Sequence, residues 1–302
     1  MSSDENFFTD NDDLVDYFEN MDIRRLVALQ ERNYERDPDC AYAPDGYEDA
    51  LDSYRRVLDV LGDMSANFIA PLAEEVDDEG VHLEDGQVQY AEGTREMLDR
   101  LSQADLMGFT LPREYGGLNF PVLIYSMAIE LVSRADASLM NIFGLQDIAE
   151  TIESFGDEEM KDHYLPQFAE GEVTGAMALT EPDAGSDLTN VQLRAYYDED
   201  DDTWRLNGVK RFITNGCADV LLVLARSEPD TDGARGLSLF VCESGPSLQV
   251  RRLEDKLGIH GSPTCELQFN DVPAQLIGRR KRGLTKYVLS LMNGARLGVA
   301  AQ

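Results

Sequence analysis

The stretch GAMALTEPDAGSDLTN, residues 175–190, combines hydroxyl groups and loop glycines with three carboxylates. Thr180, Ser186 and the backbone N–H groups around Gly185 can donate hydrogen bonds, whereas carboxylates without a neighbouring lysine disfavour a phosphate nest. Such a loop suits the neutral, hydrogen-bonding edge of a ring, or one phosphate reached through Ser186. A plain structural turn is the third interpretation, because clusters of Gly, Pro and Asp are typical of turns.

Three further stretches carry side chains suited to binding. The segment RFIT ends in Phe212, Ile213 and Thr214, which taken alone are the end of an ordinary strand. Arg296 lies in an apolar helical pattern, where a cation needs an anion, either a ligand or a structural ion-pair partner. The four successive cations of GRRKRG, residues 278–283, favour the phosphates of a ligand, an acidic partner surface or a solvated basic turn.

Several common classes of site do not match the sequence. The three histidines and four cysteines are widely spaced and include no CxxC, so no metal site is expected. No GxGxxG follows a strand-like run, which disfavours a Rossmann dinucleotide site, and no GxxxxGK[ST] occurs, which excludes a P-loop.

The charge balance limits the partners. A net charge of −32 repels nucleic acid and anionic membranes, and indicates either a strongly solvated surface or an acidic docking face. The acidic N-terminus is not a secretory signal, and no run of 18 apolar residues occurs. We therefore expect a cytoplasmic protein with reduced thiols, no nucleic-acid partner and no membrane span.

The hydrophobic period changes twice along the chain: it is helical in the first half, then strand-like, then helical again. We predict an α+β fold with an acidic, largely irregular extension at 1–45, an all-helical domain at 46–173, an antiparallel β-barrel domain at 174–282 and the first helix of a C-terminal helical bundle at 283–302. Within the strand-like region, Asn207-Gly208 predicts a hairpin turn.

Five segments, in order along the chain, together resemble the FAD-dependent acyl-CoA dehydrogenase family. They cover roughly residues 50–302, and the longer N-terminal segment is similar to the large subgroup, whose members are about twice this length. The segments are LMGFTLPREYGG, ALTEPDAGSDLTN, GVKRFITNG, KLGIHGSPTCELQFNDVPAQLIG and MNGARLGVAAQ. The ordered set is more specific than the first loop alone, and it agrees with the independent α–β–α reading.

The resemblance implies FAD as the cofactor. The flavin contacts that it implies are Met177, Leu179, Thr180, Gly185 and Ser186 in the first segment and Phe212, Ile213 and Thr214 in the second. Thr180 would donate to the pyrimidine edge, and Ser186 would lie near the pyrophosphate of FAD and the acyl-CoA. Thr214 would place its hydroxyl at flavin N5. Phe212 stands where many relatives have tryptophan, and its ring would cover the flavin face without an N–H donor.

The resemblance also implies α,β-dehydrogenation of an acyl-CoA thioester, in which a carboxylate removes the α proton as the β hydride passes to the flavin. Ser186, Asn293 and Arg296 match substrate-facing or active-site-facing positions. Relatives carry the catalytic glutamate either just before this arginine, where this chain has Ala295, or farther downstream than Gln302. We therefore expect no catalytic base in this chain.

Two interpretations of the missing base stay open: the chain is part of a longer protein, or it is one subunit of a split enzyme. The expected partners are an acyl-CoA, a second copy or a complementary C-terminal subunit, and electron-transfer flavoprotein as acceptor. Rival functions are an acyl-CoA oxidase-like or nitroalkane-oxidising relative, and a non-catalytic flavoprotein or DNA-associated relative of the same fold.

Overall fold

The computed structural model describes residues 5–35, 40 and 42–302, and its first half is mainly helical. The helices are α1 (Asp12–Asn20), α2 (Arg24–Gln30), α3 (Tyr47–Met64), α4 (Ala70–Glu79), α5 (Glu92–Gln103), α6 (Val122–Ala135), α7 (Ala137–Gly144), α8 (Ile148–Phe155) and α9 (Glu158–Glu170). Apolar side chains at helical spacing, such as Tyr54, Leu58 and Leu61 on α3, are buried in a shared core.

The N-terminal segment is more ordered than the sequence predicted. The Asn11 side chain caps α1 by accepting a hydrogen bond from the Leu14 N–H at 3.2 Å. Phe8, Phe18 and Val27 are buried in the same core as α3. Burying a large apolar side chain contributes roughly 1.5–3 kcal/mol, which explains how so acidic a segment folds against the helices. The sequence pattern of DDLVDYFENMDIRRLVALQER favours one short helix in this otherwise irregular extension, and the structure places two helices, α1 and α2, in that stretch.

Two local features interrupt the helical half. A π-helical turn at Ser65–Ile69 joins α3 to α4 without a break in the helical dihedral angles, and Pro71, which follows this turn, has no N–H to continue the helical hydrogen bonds. Strands β1 (His82–Glu84) and β2 (Gln87–Gln89) form a hairpin that the all-helical prediction omitted. The Asp-Gly pair between them has positive φ at both residues, as a tight hairpin turn requires.

The second half is built on one seven-stranded sheet. Its strands are β3 (Gly175–Ala178), β4 (Arg194–Asp198), β5 (Thr203–Thr214), β6 (Val220–Arg226), β7 (Leu237–Glu243), β8 (Leu248–Leu253) and β9 (Thr264–Leu276). The order is β3-β6-β4-β5-β9-β7, with β8 on β9 and a further β6–β7 pairing. Strand β3 pairs parallel to β6, and β4 meets β6 through the single parallel pair Arg194 and Arg226.

The predicted closed antiparallel barrel is therefore corrected to a mixed sheet. One residue pair between β4 and β6 is too short a ladder to close a regular barrel. The predicted turn at Asn207-Gly208 is also wrong, since β5 runs through both residues with an irregularity in its pairing to β9. Gly208 has a φ of 144°, and a Cβ there would lie 3.1 Å from the Leu193 Cα. Close approach of two backbones explains this glycine.

A helix follows the sheet, as predicted. After a π-helical turn at Gly283–Val288, α10 (Leu289–Ala301) contacts α6 and α8. Tyr287 and Leu291 enter the core that α8 and α9 form with one face of the sheet. The strand ends of the sheet, the turn between α7 and α8, and α10 thus meet around one space.

The helical half and the sheet are also joined by His260 and Asp77. The Asp77 carboxylate accepts from the His260 backbone N–H at 2.8 Å and lies 3.0 Å from its Nδ1, while Nε2 lies 3.0 Å from the Lys256 carbonyl. Both ring nitrogens face acceptors, so the contact favours the protonated ring. The hydrogen bond to Asp77 raises the pKa of His260. The stabilisation is present when the ring is charged and is lost as pH rises through this raised pKa.

We expect the pKa of His260 to fall in an Asp77→Asn variant, because the amide removes the anion that favours the charged ring. An NMR titration of the histidine ring protons measures this directly. Asp78→Asn removes the neighbouring carboxylate on the same helix and serves as the matched control. Equal titration curves for His260 in the wild type and in Asp77→Asn would contradict the assignment.

Candidate functional site

The space between the strand ends, α7 and α10 is a cavity of about 300 Å³. Most of its lining is apolar. Helix α7 and the turn after it contribute Met140, Asn141, Gly144, Leu145 and Asp147; the strand ends contribute Met177, Leu179, Thr180, Gly185, Leu188, Phe212, Ile213 and Thr214; α10 contributes Met292, Ala295, Gly298 and Val299. An apolar cleft with a few polar groups at the junction of structural units is typical of a small-molecule site.

The structure brings together most of the residues that the two motifs singled out. The residues on the cavity wall are Met177, Leu179, Thr180, Gly185, Phe212, Ile213 and Thr214. Ser186 is exposed on the loop beside Gly185 and is not part of this wall. The two segments therefore share one site, while the role of each residue toward a cofactor stays a prediction.

The first segment leaves β3 and folds into a tight loop. Glu181 and Ala184 exchange backbone hydrogen bonds at 2.9 and 3.2 Å, which closes the turn around Pro182. The Asp187 carboxylate accepts from the Thr189 N–H at 3.0 Å, and its hydrogen bonds to Thr189 lower its pKa. These contacts lie within the loop, so the Asp187 carboxylate stabilises the loop's own backbone.

A buried ion pair attaches this loop to β5. The Lys210 side chain has no solvent exposure, and its Nζ donates to the Glu181 Oε1 at 2.9 Å and to the Leu179 carbonyl at 2.7 Å. Glu181 also accepts from the N–H groups of Gln192 and Leu193 at 2.7 and 2.9 Å. Burial lowers the pKa of Lys210 to about 8, against the opposing effect of Glu181. Sequence reasoning did not single out Lys210, which stands beside Arg211 in the mixed-polarity strand TWRLNGVKRFIT.

The second segment presents an exposed ring at the cavity. Phe212 has a φ of 60°, uncommon for an aromatic residue, and its side chain is 51% exposed. The pairing of β5 with β9 shifts register between Lys210 and Ile213, and the irregular backbone there turns Phe212 outward. The Arg211 guanidinium lies 4.6 Å from the ring centroid. The backbone N–H of Arg211 donates to the Thr180 carbonyl at 2.9 Å, and this hydrogen bond joins the two segments directly.

Asn215 fixes the end of the second segment. It is fully buried with a φ of 52°, and its Nδ2 donates to the Gly175 carbonyl at 3.0 Å. Its backbone N–H donates to the Pro263 carbonyl at 2.8 Å, and the Tyr90 hydroxyl donates to its side-chain oxygen. One side chain therefore ties the strand carrying Thr214 to β3 and to the helical half.

Helix α10 presents Ala295 to the cavity and directs its polar residues elsewhere. The Arg296 Nη1 donates to the Asn293 Oδ1 at 2.9 Å, and both residues are exposed outside the cavity wall. The anion expected for Arg296 is thus replaced by a neutral amide in this structure. In the basic run that precedes the helix, Arg280 and Lys281 lie 2.7 and 3.7 Å from Glu228, so this part of the turn is neutralised by the chain itself.

The described part of the chain lacks two other kinds of feature. Within it, no group of three or more His, Cys, Asp or Glu side chains is arranged to hold a metal ion. None of its helices has both the length and the apolar character needed to cross a membrane.

Two sequence models from one family match consecutive parts of the chain. The model described as acyl-CoA dehydrogenase, N-terminal domain, matches residues 52–172. The model described as acyl-CoA dehydrogenase, middle domain, matches residues 176–272 and contains both segments that line the cavity. The chain belongs to the acyl-CoA dehydrogenase family. The resemblance seen in the motifs is thereby confirmed.

Individual relatives and solved structures resemble most of the chain. The 3-methylmercaptopropionyl-CoA dehydrogenase of Ruegeria pomeroyi is 35% identical over 83% of this chain and 45% of its own length. The solved butyryl-CoA dehydrogenase of Megasphaera elsdenii is 33% identical with a TM-score of 0.74, over 83% of this chain and 64% of that one. PigA, solved with FAD and proline, is 27% identical with a TM-score of 0.71, over 82% of this chain and 63% of the PigA chain.

These matches confirm the α+β fold with a helical domain before a sheet domain. The chain spans about half the length of the curated relative and less than two thirds of the solved chains. The acyl groups in the relatives' names differ, so the family membership supports acyl-CoA dehydrogenation in general and leaves the substrate of this chain to be inferred from its own cavity.

The residues of the cavity suit the FAD of an acyl-CoA dehydrogenase. Thr180 and Thr214 line it, and within residues 5–35, 40 and 42–302 neither hydroxyl makes a hydrogen bond to the protein. A Cβ on Gly185 would have one neighbour within 4 Å, the Thr180 methyl at 3.4 Å, so the loop leaves open space above it. Two unused hydroxyls beside an exposed phenylalanine match a planar ring with a polar edge and an apolar face.

Proposed function

We propose that the protein takes part in α,β-dehydrogenation of an acyl-CoA thioester, with FAD bound between the two segments. When bound, FAD supplies a two-electron acceptor for the hydride that leaves the β carbon. The observation that carries the proposal is the meeting of Thr180, Thr214 and Phe212 on one cavity wall with unused hydrogen-bonding capacity. The family of the chain supports the same chemistry.

Each residue has a distinct part in this proposal. The Thr180 hydroxyl donates to the pyrimidine edge of the ring, and the Thr214 hydroxyl donates at the ring nitrogen that receives the hydride. Donors already fixed by the protein favour the charge that develops at these atoms, because they need no reorganisation during the reaction. Phe212 covers the ring face and keeps water from it. The rest of the apolar surface that contacts the ring is formed by Met177, Leu179, Gly185 and Ile213. Ser186 lies toward the pyrophosphate of FAD.

The base that removes the α proton is proposed to come from outside these 302 residues. The position on α10 that faces the cavity is Ala295, which carries no titratable group. Asp147 lines another wall, and burial together with Glu150 raises its pKa to about 8, so it is mostly protonated at neutral pH and a poor base there. A further segment of the same protein or a partner subunit would bring the base, and Asn293 and Arg296 would face that addition.

The remaining partners follow from the same proposal. The protein would assemble with a second copy or a complementary subunit, act in the cytoplasm and pass its electrons to electron-transfer flavoprotein.

Absorbance spectroscopy of the purified assembly tests the core of the proposal. Flavin bands that an acyl-CoA bleaches support it; absence of flavin bands in the complete assembly refutes it. Flavin that no acyl-CoA bleaches would favour a non-catalytic flavoprotein instead.

We expect Thr180→Val and Thr214→Val each to weaken FAD binding by about 2- to 12-fold, the effect of losing one hydrogen bond of 0.5–1.5 kcal/mol. Valine keeps the shape of threonine and removes the donor. Fluorescence quenching of added FAD by the apoprotein gives the dissociation constants. Thr203→Val, at the opposite end of β5, is the matched control. Unchanged affinity in both test variants would place the ring elsewhere.

A further inference from the structure

Cys217 and Cys265 meet beside the second cavity segment, and the proposed function uses neither of them. Both are free thiols. Ile213, which lines the cavity, pairs with Cys265 between β5 and β9, and the Asn215 backbone N–H donates to the Pro263 carbonyl at 2.8 Å. The turn that follows β5 is therefore held over the beginning of β9. This turn carries Cys217 to the strand that carries Cys265.

The turn lies against Cys265 with almost no space between them. A Cβ on Gly216, the residue before Cys217, would lie 2.7 Å from the Cys265 Cβ and 3.3 Å from its Sγ. A side chain at residue 216 would therefore clash with Cys265, and glycine permits the close approach. The Cys265 thiol accepts from the backbone N–H groups of Gly216 and Cys217, and it also hydrogen-bonds to the Cys217 thiol. The backbone approach and the thiol contacts agree that the two sulfur atoms are neighbours.

The two thiols differ in exposure and in reactivity. Cys217 is partly exposed, whereas Cys265 is fully buried. The hydrogen bond from Cys265 lowers the pKa of Cys217, and the same hydrogen bond, together with burial, raises the pKa of Cys265. Because the thiolate is the form that reacts with oxidants, Cys217 is the thiol that an oxidant reaches first. Cys265 is placed to react with the oxidised product.

We propose that Cys217 and Cys265 form a dithiol modification site, which a hydroperoxide converts to an intrachain disulfide that weakens FAD binding. The Cys217 thiolate attacks the peroxide, so that an S–O bond forms, the O–O bond breaks and the leaving oxygen takes up a proton. The Cys265 sulfur then attacks the sulfenic acid on Cys217. The S–S bond forms, the S–O bond breaks, and the hydroxide leaves with the Cys265 proton as water. Two electrons pass from the two sulfur atoms to the peroxide.

The disulfide would change the turn that ends the second segment. A disulfide requires sulfur atoms about 2.05 Å apart, closer than two hydrogen-bonded thiols, so Cys217 must move toward β9. This movement takes its Sγ away from the Tyr90 hydroxyl, now at 3.5 Å, and from the Asn215 Oδ1, now at 3.8 Å. Asn215 directly follows Thr214, so the shift displaces the Thr214 hydroxyl from its place at the flavin. The effect on FAD binding rests on the proposed function.

Mass spectrometry and FAD titration of the full protein, with any associated subunit, test the two parts of the proposal. Hydrogen peroxide should remove two hydrogen atoms from the chain and link the peptides that contain Cys217 and Cys265. The dissociation constant of FAD, measured by fluorescence quenching, should rise about 2- to 12-fold, the effect of losing one hydrogen bond. Dithiothreitol should reverse both changes.

Three variants separate the dithiol from general oxidative damage. Cys217→Ser keeps the size of the side chain and removes the attacking sulfur, so peroxide should neither form the link nor change the affinity for FAD. Cys265→Ala removes the second sulfur, so the sulfenic acid on Cys217 should accumulate and react with dimedone. Cys242→Ala removes a buried cysteine on β7 and should keep both the disulfide and the response of FAD binding.

The outcomes are distinguishable from failure of the proposed function. Addition of oxygen to Cys217 without a link to Cys265 overturns the dithiol site, and so does a link through Cys40 or Cys242. A disulfide that leaves the dissociation constant of FAD unchanged overturns its effect on binding. Reduced protein that binds no FAD refutes the proposed function, whereas the peptide link still decides the dithiol site.

Discussion

Lys210→Met is expected to lower the free energy of unfolding by about 3–5 kcal/mol, the usual cost of leaving one partner of a buried ion pair unpaired. Methionine fills a similar volume, so the loss comes from the charge. Glu181 would keep its two backbone donors, but the anion would lose its cation in a place where Glu181 is 7% exposed. The Leu179 carbonyl would lose its donor as well. Urea denaturation of both proteins measures the difference.

The same substitution tests whether the ion pair positions the loop that carries Thr180 and Gly185. Lys210 and Arg211 hold the backbone on both sides of Thr180, through the Leu179 carbonyl, the Glu181 carboxylate and the Thr180 carbonyl. Loosening these bonds should weaken FAD binding in Lys210→Met beyond the effect of removing the Thr180 hydroxyl alone.

A double variant and a surface control complete this experiment. Lys210→Met combined with Glu181→Gln removes both charges and should recover part of the lost stability, since the neutral amide is less costly to bury. Arg56→Met breaks the exposed pair with Asp52 and should change the stability by less than about 1 kcal/mol. If Lys210→Met were no more damaging than Arg56→Met, the buried pair would not stabilise the loop.

The two segments on the cavity wall could be singled out from the sequence because each is a short local motif that combines loop residues with a strand end. The order of helical and strand-like regions was predictable from the hydrophobic period, which depends only on neighbours along the chain. Strand direction was not, because it depends on how distant strands meet. The parallel pairing of β3 with β6 and the one-pair contact of β4 with β6 leave no local signal, and so the sequence predicted antiparallel pairing throughout the β domain.

The polar contacts of the site depend on distance in space. Lys210 and Glu181 are 29 residues apart, and the register shift in β5 decides which side chain points inward. Asp147 lies in a helical pattern that gives no sign of its place on the cavity wall. For Arg296, the apolar neighbours in the sequence suggested an anionic partner. In the structure its partner is the exposed and neutral Asn293. Burial of a single polar side chain is set by tertiary packing, which the period of a sequence does not describe.

Asn215→Ala is expected to cost about 2–4 kcal/mol, through two mechanisms that reinforce each other. The buried Gly175 carbonyl would lose its donor, at about 1–3 kcal/mol for an unsatisfied buried group, whereas the half-buried Tyr90 hydroxyl keeps its contact with Cys217. Alanine at a φ of 52° adds roughly 1 kcal/mol of backbone strain, because asparagine tolerates the left-handed region better. In the sequence this residue is only one member of the segment GVKRFITNG; in the structure its side chain links β5, β3 and the helical half.

Asn207→Ala is the control that makes this result interpretable. Asn207 lies on the same strand, but its Nδ2 bonds the exposed Asp271 at 2.7 Å, where water replaces a lost partner. We expect a change within about 0.5 kcal/mol there. Asn215→Ala should also weaken FAD binding, because the strand end that carries Thr214 is no longer tied to β3, whereas Asn207→Ala should leave it unchanged. Equal unfolding midpoints for the two variants would mean that Asn215 does not join the two halves of the site.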